Sequence, residues 1–451
     1  LTVIDSIVDA EMPGLISDLQ TLIRQPSVSA KKQGLIECAN LVAETMRKSG
    51  ITSEVLYLDD KSIPPIVYGE VLSRSNPDKT LLFYNHYDIQ PEEPLELWND
   101  DPFSGKVEGN YIFGRGSADD KGELITRIKA VEYFLKGTGD VPCNIKFMVE
   151  GEEEIGSVHV EQYLTKYRDR LACDGVIWEF GYVDAKDRPI ISLGMKGLLY
   201  VELIARGPVR DAHSSLAVLI ENPAWRLVSA LATMRDHNGK ILIKDWYKEV
   251  RSFTKEEIGV ISKEPFDEKE FKQEYGIERF VRNAKGRDVK KALVGMPTCN
   301  IAGFNSGYIG EGAKTVLPAQ AMAKIDFRLV PDMVPEKQLE RLKRHLKLHG
   351  FGDIEVKLIH GEAAGRTPIK DPFVRVVQQA AKETYGSAIT SVSSAGTGPM
   401  HSFIKVLKAP CISIGSTYVF ARIHSPNEFA RIDLLNKTTK CIGRIMERFA
   451  G

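Results

Sequence analysis

Apolar residues recur at helical intervals through the first fifty positions. Ile7, Met12, Leu15, Ile16, Leu19 and Leu22 fall three or four apart, and so do Ile36, Ala39, Leu41, Val42 and Met46. Two helices are predicted, parted by the breaker run Gln25-Pro26-Ser27-Val28-Ser29. The pattern then turns strand-like at 53–58, 66–71 and 80–84. A loop at 94–109 and a helix with Leu124, Ile128, Val131 and Leu135 on one face come next. They lead to a strand in which Ile145, Phe147 and Val149 alternate with other residues, and a polar helix at 158–170 precedes a short apolar strand at 174–179.

The texture changes near Leu193. Strand patterns appear at 197–206, 320–329 and 354–359, and Asn222-Pro223 opens a helix, proline suiting a first turn. Residues 244–294 are charge-rich and helical in flavour, and 335–349 reads as an amphipathic helix. From about 365 the alternation resumes, with helix 373–385, strand 411–414 and helix 433–449. At 451 residues the chain is long for one core, so two domains are expected, one inserted in the other. Helices in the crossovers imply a largely parallel sheet and an α/β fold class.

The predicted strands end near His86, Glu150, Glu179 and Ile414, each bringing a His or carboxylate to its C-terminal end or just beyond. Asp119 stands just ahead of a helix. Ligands of open α/β sheets sit outside the carboxyl ends of strands, so these positions point to one site. The strand carrying Glu150 runs directly into Glu152, Glu153 and Glu154. Like charges so crowded repel unless solvated or neutralised by cations; an acidic turn in water is the plainer alternative. Two His and several carboxylates without Cys suit Zn²⁺, Mn²⁺ or Co²⁺. Asp88, two residues from His86, can hold an imidazole tautomer. A pair of metals needs a bridging ligand, a task for one two-oxygen carboxylate. Asp120 is expected to cap or support the helix after it, Lys121 to pair with local carboxylates, and His345 and His349 to lie at the surface.

Composition narrows the field. A formal net charge of −1 without a basic block argues against a nucleic-acid or anionic-membrane surface. Six scattered Cys contain no CxxC pair, which removes a local thiolate zinc motif and a disulfide framework and favours a reducing cytoplasm. No apolar run reaches about 18 residues, so no membrane span is expected.

Several motifs occur in a telling order: His86-Tyr87-Asp88, Gly114-Arg115-Gly116 with Asp119-Asp120-Lys121-Gly122, and Glu150 to Ser157. Asp211-Ala212-His213-Ser214, Arg328-Leu329-Val330-Pro331 and His424-Ser425-Pro426-Asn427-Glu428 follow. Together they resemble the M20 metallopeptidases over nearly the whole chain, with the flavour of the carnosinase-like dipeptidase branch. The resemblance implies a di-metal catalytic domain at 1–192 and 363–451, with an inserted α+β lid and dimerisation domain at 193–362. It implies two divalent ions, Zn²⁺ foremost with Mn²⁺ or Co²⁺ as alternatives. By the same resemblance His86 binds one ion, His424 the other, and Asp119 bridges them. Glu154 completes the His424 ion, Glu179 the His86 ion, Glu153 is the general base, and Asp88 orients His86. His213 reaches into the partner subunit's site of a homodimer to stabilise the oxyanion. Arg328 binds the substrate's terminal carboxylate, assisted by Thr315 and the loop around Gly396.

Two departures stand out against the dipeptidase branch. Glu179 occupies a position where that branch often has Asp, and Ser215 one where Gly is usual. The activity implied is hydrolysis of dipeptides or short peptides with a free C-terminal carboxylate. Deacylation or desuccinylation of N-acyl amino acids is the alternative, and a non-catalytic metal-binding scaffold a remote one.

Overall fold

The computed structural model describes residues 4–451. The chain divides into two compact units, Leu1–Gly194 with Arg366–Ser393 and Gly398–Gly451, and Met195–Gly365 with Ser394–Thr397.

The first unit is built on an eight-stranded sheet. Its order is Thr52–Leu56, Ile66–Val71, Asn144–Glu150, Thr80–His86, Gly175–Trp178, Cys411–Ser413, Ile190–Ser192, Ile389–Ser391. The four strands from Asn144–Glu150 to Cys411–Ser413 run parallel. The first two strands and the Ile190–Ser192 pairing with Cys411–Ser413 are antiparallel, so the sheet is mixed with a parallel centre. Parallel register sets His86 opposite Glu150 and Trp178 opposite Ser413, which gathers the strand exits at one edge. The strands Ile190–Ser192 and Ile389–Ser391 escaped sequence reading, since three residues hold too little alternation.

The central strands are buried on both faces, as parallel strands flanked by helices are. On one face Leu81, Phe83, Ile145, Phe147 and Val149 join the main core. On the other, Tyr84 and Trp178 pack against Phe403 of helix Met400–Leu407. Helix Lys121–Thr138 has more than the single apolar face expected of it, for residues 121–134 are all buried. A helix enclosed all round must find a partner for each charge. Lys129 lies 2.6 Å from both Asp18 and Glu132. Lys121 does not pair with a carboxylate as expected; its Nζ donates to the carbonyls of Leu22 (2.9 Å) and Gln25 (2.7 Å), at the end of helix Asp5–Arg24.

The second unit holds a four-stranded antiparallel sheet in the order Asn300–Ser306, Gln320–Leu329, Gly197–Arg206, Glu355–Glu362. Ala321, Ala323, Ile325, Phe327 and Leu329 alternate inward and pack with Leu199, Val201, Leu203 and Ala205. Leu227, Ala230 and Met234 of helix Pro223–Met234 and Leu342 and Leu346 of helix Pro335–Leu348 share this core. Asn222 caps the first of these helices by accepting from Ala224 N at 2.8 Å. Strand Asn300–Ser306 went unread because it is an exposed edge strand without an inward apolar row. His345 is buried rather than superficial, its Nε2 2.9 Å from Thr233 Oγ1. Residues 363–365 and 394–397 fall in this unit, although 363–451 was expected to lie wholly in the other.

Candidate metal centre and active site

The parallel strand exits and the loops after them bring six chemistry-bearing residues together in the first unit. His86 is the last residue of its strand, and its main-chain N–H donates to Asp120 Oδ2 at 3.1 Å. Asn85 Nδ2 donates to the same oxygen at 2.7 Å. Asp120 therefore secures the strand end, and it makes no side-chain cap on the following helix. Asp119 is held from behind: its N–H and that of Ala118 donate to Glu428 Oε1 at 3.1 and 3.0 Å. Glu428 Oε2 pairs with Arg115 Nη1 at 2.7 Å, both side chains buried. Arg115 of the Gly-Arg-Gly motif and Glu428 of the final motif thus form a clamp on Asp119.

Asp119 lies between two imidazoles. Its Oδ1 is 3.1 Å from His86 Nε2 and its Oδ2 3.1 Å from His424 Nε2. Glu154 Oε2 is 3.2 Å from His424 Nε2, and Glu153 Oε2 is 3.9 Å from His86 Nε2. The ligand atoms of Asp119, Glu154 and His424 all fall within 4.8 Å of one another. Asp88 serves two elements. Its Oδ1 is 3.3 Å from His86 Nδ1, and its main-chain oxygen 3.0 Å from the same nitrogen. Its two carboxylate oxygens also accept from the N–H groups of Glu153 (3.1 Å) and Glu154 (3.0 Å), pinning the acidic turn. With Nδ1 facing these acceptors, His86 turns its Nε2 toward Asp119.

Electrostatics mark the cluster as short of positive charge. Burial, with help from Glu153, pushes Glu179 well above the usual carboxylate range. Burial does the same to Glu153, reinforced by Glu154 and Asp119 against the pull of His86. It also raises Glu154, with Asp119 adding to it. Hydrogen bonds to Asp119 and Glu154 carry His424 up to about 10. Burial works against the charge on Asp119, yet its bonds to His424 and His86 hold it below the ordinary range. Glu179 Oε2 is buried with no hydrogen-bond partner among the described residues. An orphaned buried carboxylate oxygen beside further acids, with two imidazole nitrogens and no sulfur, fits a centre for divalent cations.

The remaining acids of the turn support it. Glu150, raised to about 7 chiefly by burial, accepts from Tyr84 Oη (2.5 Å) and Ser157 Oγ (2.8 Å). Glu152 lies 2.8 Å from His159 Nδ1. Sequence reading missed Asn85, Gln90 and the clamping roles of Arg115 and Glu428. Gln90 Nε2 donates to Glu154 Oε2 at 2.8 Å. Such polar side chains carry no periodic signal; only the fold shows which carboxylate each one meets.

The other expected residues belong to the second unit. His213 pairs with Val316 in a two-residue ladder, and Ser214 N donates to the carbonyl of Thr315 at 3.1 Å. His213 Nδ1 accepts from Ser215 N (3.2 Å) and lies 2.8 Å from Ser215 Oγ, so the ring proton resides on Nε2. Ser215, the departure noted above, thereby orients the ring. Arg328 Nη1 donates to Thr397 Oγ1 at 2.6 Å, and Lys196 N to the carbonyl of Gly396 at 2.9 Å. Arg328 and the Gly396 loop are thus brought together.

The sequence model of "Peptidase family M20/M25/M40" matches residues 82–448. The chain is similar to a Cys-Gly metallodipeptidase of Candida albicans, 30% identical over 395 residues, covering 82% of this chain and 80% of that protein. It is 28% identical over 376 residues to a human Beta-Ala-His dipeptidase, covering 81% and 74%. Among solved structures, the M20 family metallo-carboxypeptidase Sso-CP2 from Sulfolobus solfataricus superposes with a TM-score of 0.91 at 38% identity, covering 97% of this chain and 99% of that one. A family match across most of the chain joins a carboxylate set between two histidines at parallel strand ends, and the protein belongs to peptidase family M20/M25/M40 as a metallopeptidase.

Proposed function

We propose that this metallopeptidase cleaves dipeptides or short peptides that carry a free C-terminal carboxylate. The observation that carries the reading is Asp119 set between His86 and His424, with the Glu153 carboxylate beside them. The named activities of its relatives, a Cys-Gly metallodipeptidase, a Beta-Ala-His dipeptidase and a metallo-carboxypeptidase, support the substrate class.

In this reading His86, Asp119 and Glu179 would hold one divalent ion and His424, Asp119 and Glu154 the other, with Asp119 common to both sets. Zn²⁺ suits the donors best, and Mn²⁺ or Co²⁺ also fit. Such a pair, when bound, supplies Lewis acidity for the scissile carbonyl and the attacking water. Glu153 takes one proton from that water as its oxygen bonds to the carbonyl carbon, and delivers it to the amine nitrogen as the C–N bond breaks. Asp88 keeps the His86 ring in one tautomer and fixes the peptide groups of Glu153 and Glu154. Arg328 offers a planar fork for the substrate carboxylate, and in this reading Thr315 and the Gly396 loop assist it. His213, with its proton on Nε2, donates to the oxyanion from the partner subunit of a homodimer. Exposed Val218, Leu219 and Trp225 on the second unit support such a partner surface. Six free cysteines, four of them buried, are in keeping with a cytoplasmic setting.

Apo-protein reloaded with Zn²⁺, Mn²⁺ or Co²⁺ and offered dipeptides, N-acetyl and N-succinyl amino acids tests the substrate class. Dipeptides should turn over fastest. Preference for an N-acyl amino acid would favour the deacylase reading that the Glu179 position also allows. Mixing inactive His213→Ala and Glu153→Ala chains should restore part of the activity if His213 acts across the dimer, and none if it acts within its own chain.

A further inference from the structure

A buried ion pair outside the ligand set grips the segment that carries Glu179. Glu123 and Arg127 stand one turn apart on helix Lys121–Thr138, both fully buried, with Arg127 Nη1 2.9 Å from Glu123 Oε2. The register between strands Gly175–Trp178 and Cys411–Ser413 ends at Trp178 opposite Ser413. At that end Arg127 Nη2 donates to the carbonyls of Trp178 (3.1 Å), Glu179 (2.9 Å) and Ile414 (3.1 Å). Buried carbonyls beyond a ladder need a donor, and a forked cation serves several at once. Glu123 Oε1 accepts from Ser416 N (2.5 Å), Thr417 N (3.0 Å) and Thr417 Oγ1 (3.0 Å). The chain closes tightly around the pair: a Cβ on Gly415 would lie 2.2 Å from Glu123 Oε1, and one on Gly181 2.0 Å from Gly415 N.

Buried ion pairs add little to stability compared with apolar residues of the same volume. What this one does supply is a fixed placement of two strand exits on one helix. Glu179 Oε2 has no hydrogen-bond partner among the described residues, so the side chain is aimed through its main chain. That main chain is held at its carbonyl by Arg127 and, at 3.4 Å, by Asn85 Nδ2. We propose that Glu123 and Arg127 are positioning residues for Glu179, presenting its carboxylate to the ion it shares with His86. The proposal rests on the reading of Glu179 as a metal ligand.

The test uses the full chain loaded with Co²⁺, read by chelator competition and by the visible absorption bands of the bound metal. Arg127→Lys keeps the charge beside Glu123 but loses the fork. It should weaken one of the two Co²⁺ ions by about 10–100-fold and shift its bands, leaving the other unchanged. Glu123→Gln should act in the same direction. Both ions retained with native spectra in Arg127→Lys and Glu123→Gln, while Glu179→Ala loses one, overturns the positioning role alone. Both ions retained in Glu179→Ala overturns the ligand reading and the positioning role with it. If Arg127→Lys fails to fold, Glu123→Gln, nearly identical in shape, decides by the same two readouts.

Discussion

The two units fill their interiors by opposite means. In the second, each buried position of strand Gln320–Leu329 is apolar, and the helices above it add Leu, Ala and Met. In the first, helix Lys121–Thr138 buries Lys121, Glu123, Arg127, Lys129 and Glu132 among its apolar residues. Apolar alternation is enough for a scaffold, since area removed from water stabilises it without directional demands. Buried charge is costly unless each group is paired, and a stable core does not require it. Two of these charges, Glu123 and Arg127, hold the main chain at Glu179 and Thr417, where backbone placement has been favoured over ease of burial. In the first unit the Asp119 cluster and a helix rich in buried charge occur together; the sheet of the second is packed on apolar side chains.

The comparison breaks most decisively at Glu153. Glu153→Gln should lower peptide hydrolysis by about 10²–10⁴-fold with metal content and thermal unfolding near native, as expected for a lost general base. Native turnover in this variant would remove Glu153 from the reaction. In the apolar unit the corresponding blow falls on stability. Phe327 is fully buried with its ring 4.6 Å from that of Trp246, and Phe327→Ala should cost about 3–5 kcal/mol in urea unfolding. A loss under 1 kcal/mol would mean that the second core is loosely packed.

A smaller effect sharpens the contrast, for the second unit buries a titratable imidazole, that of His345. Burial, aided by the neighbouring His349 ring, depresses His345 from 6.5 to about 4. Between those values the unfolded chain takes up a proton that the folded one refuses. The His345 contribution is therefore complete above pH 6.5 and is lost as pH falls toward 4. Urea midpoints of the native protein and of His345→Gln should converge as pH drops from 7 to 4.5. A constant gap would show that His345 stays neutral in both states or charges in both.

The sequence by itself determined the order of elements wherever apolar residues recur regularly: both N-terminal helices, the strands through His86 and Glu150, and the alternating strand ending at Leu329. It also named the residues that meet around Asp119, because distinctive residue types sit at predicted strand ends. It was silent on the three-residue strands and the exposed edge strand Asn300–Ser306, where length or solvent exposure erases the pattern. It misjudged Lys121, Asp120 and His345, whose partners are distant in the chain: Leu22 and Gln25, Asn85, and Thr233. Tertiary structure alone decided these, and with them the Arg115–Glu428 clamp, the double duty of Asp88 and the grip of Arg127 on Glu179. Periodicity reports which face of an element avoids water, whereas a hydrogen bond depends on where two unrelated segments meet to within a few tenths of an ångström.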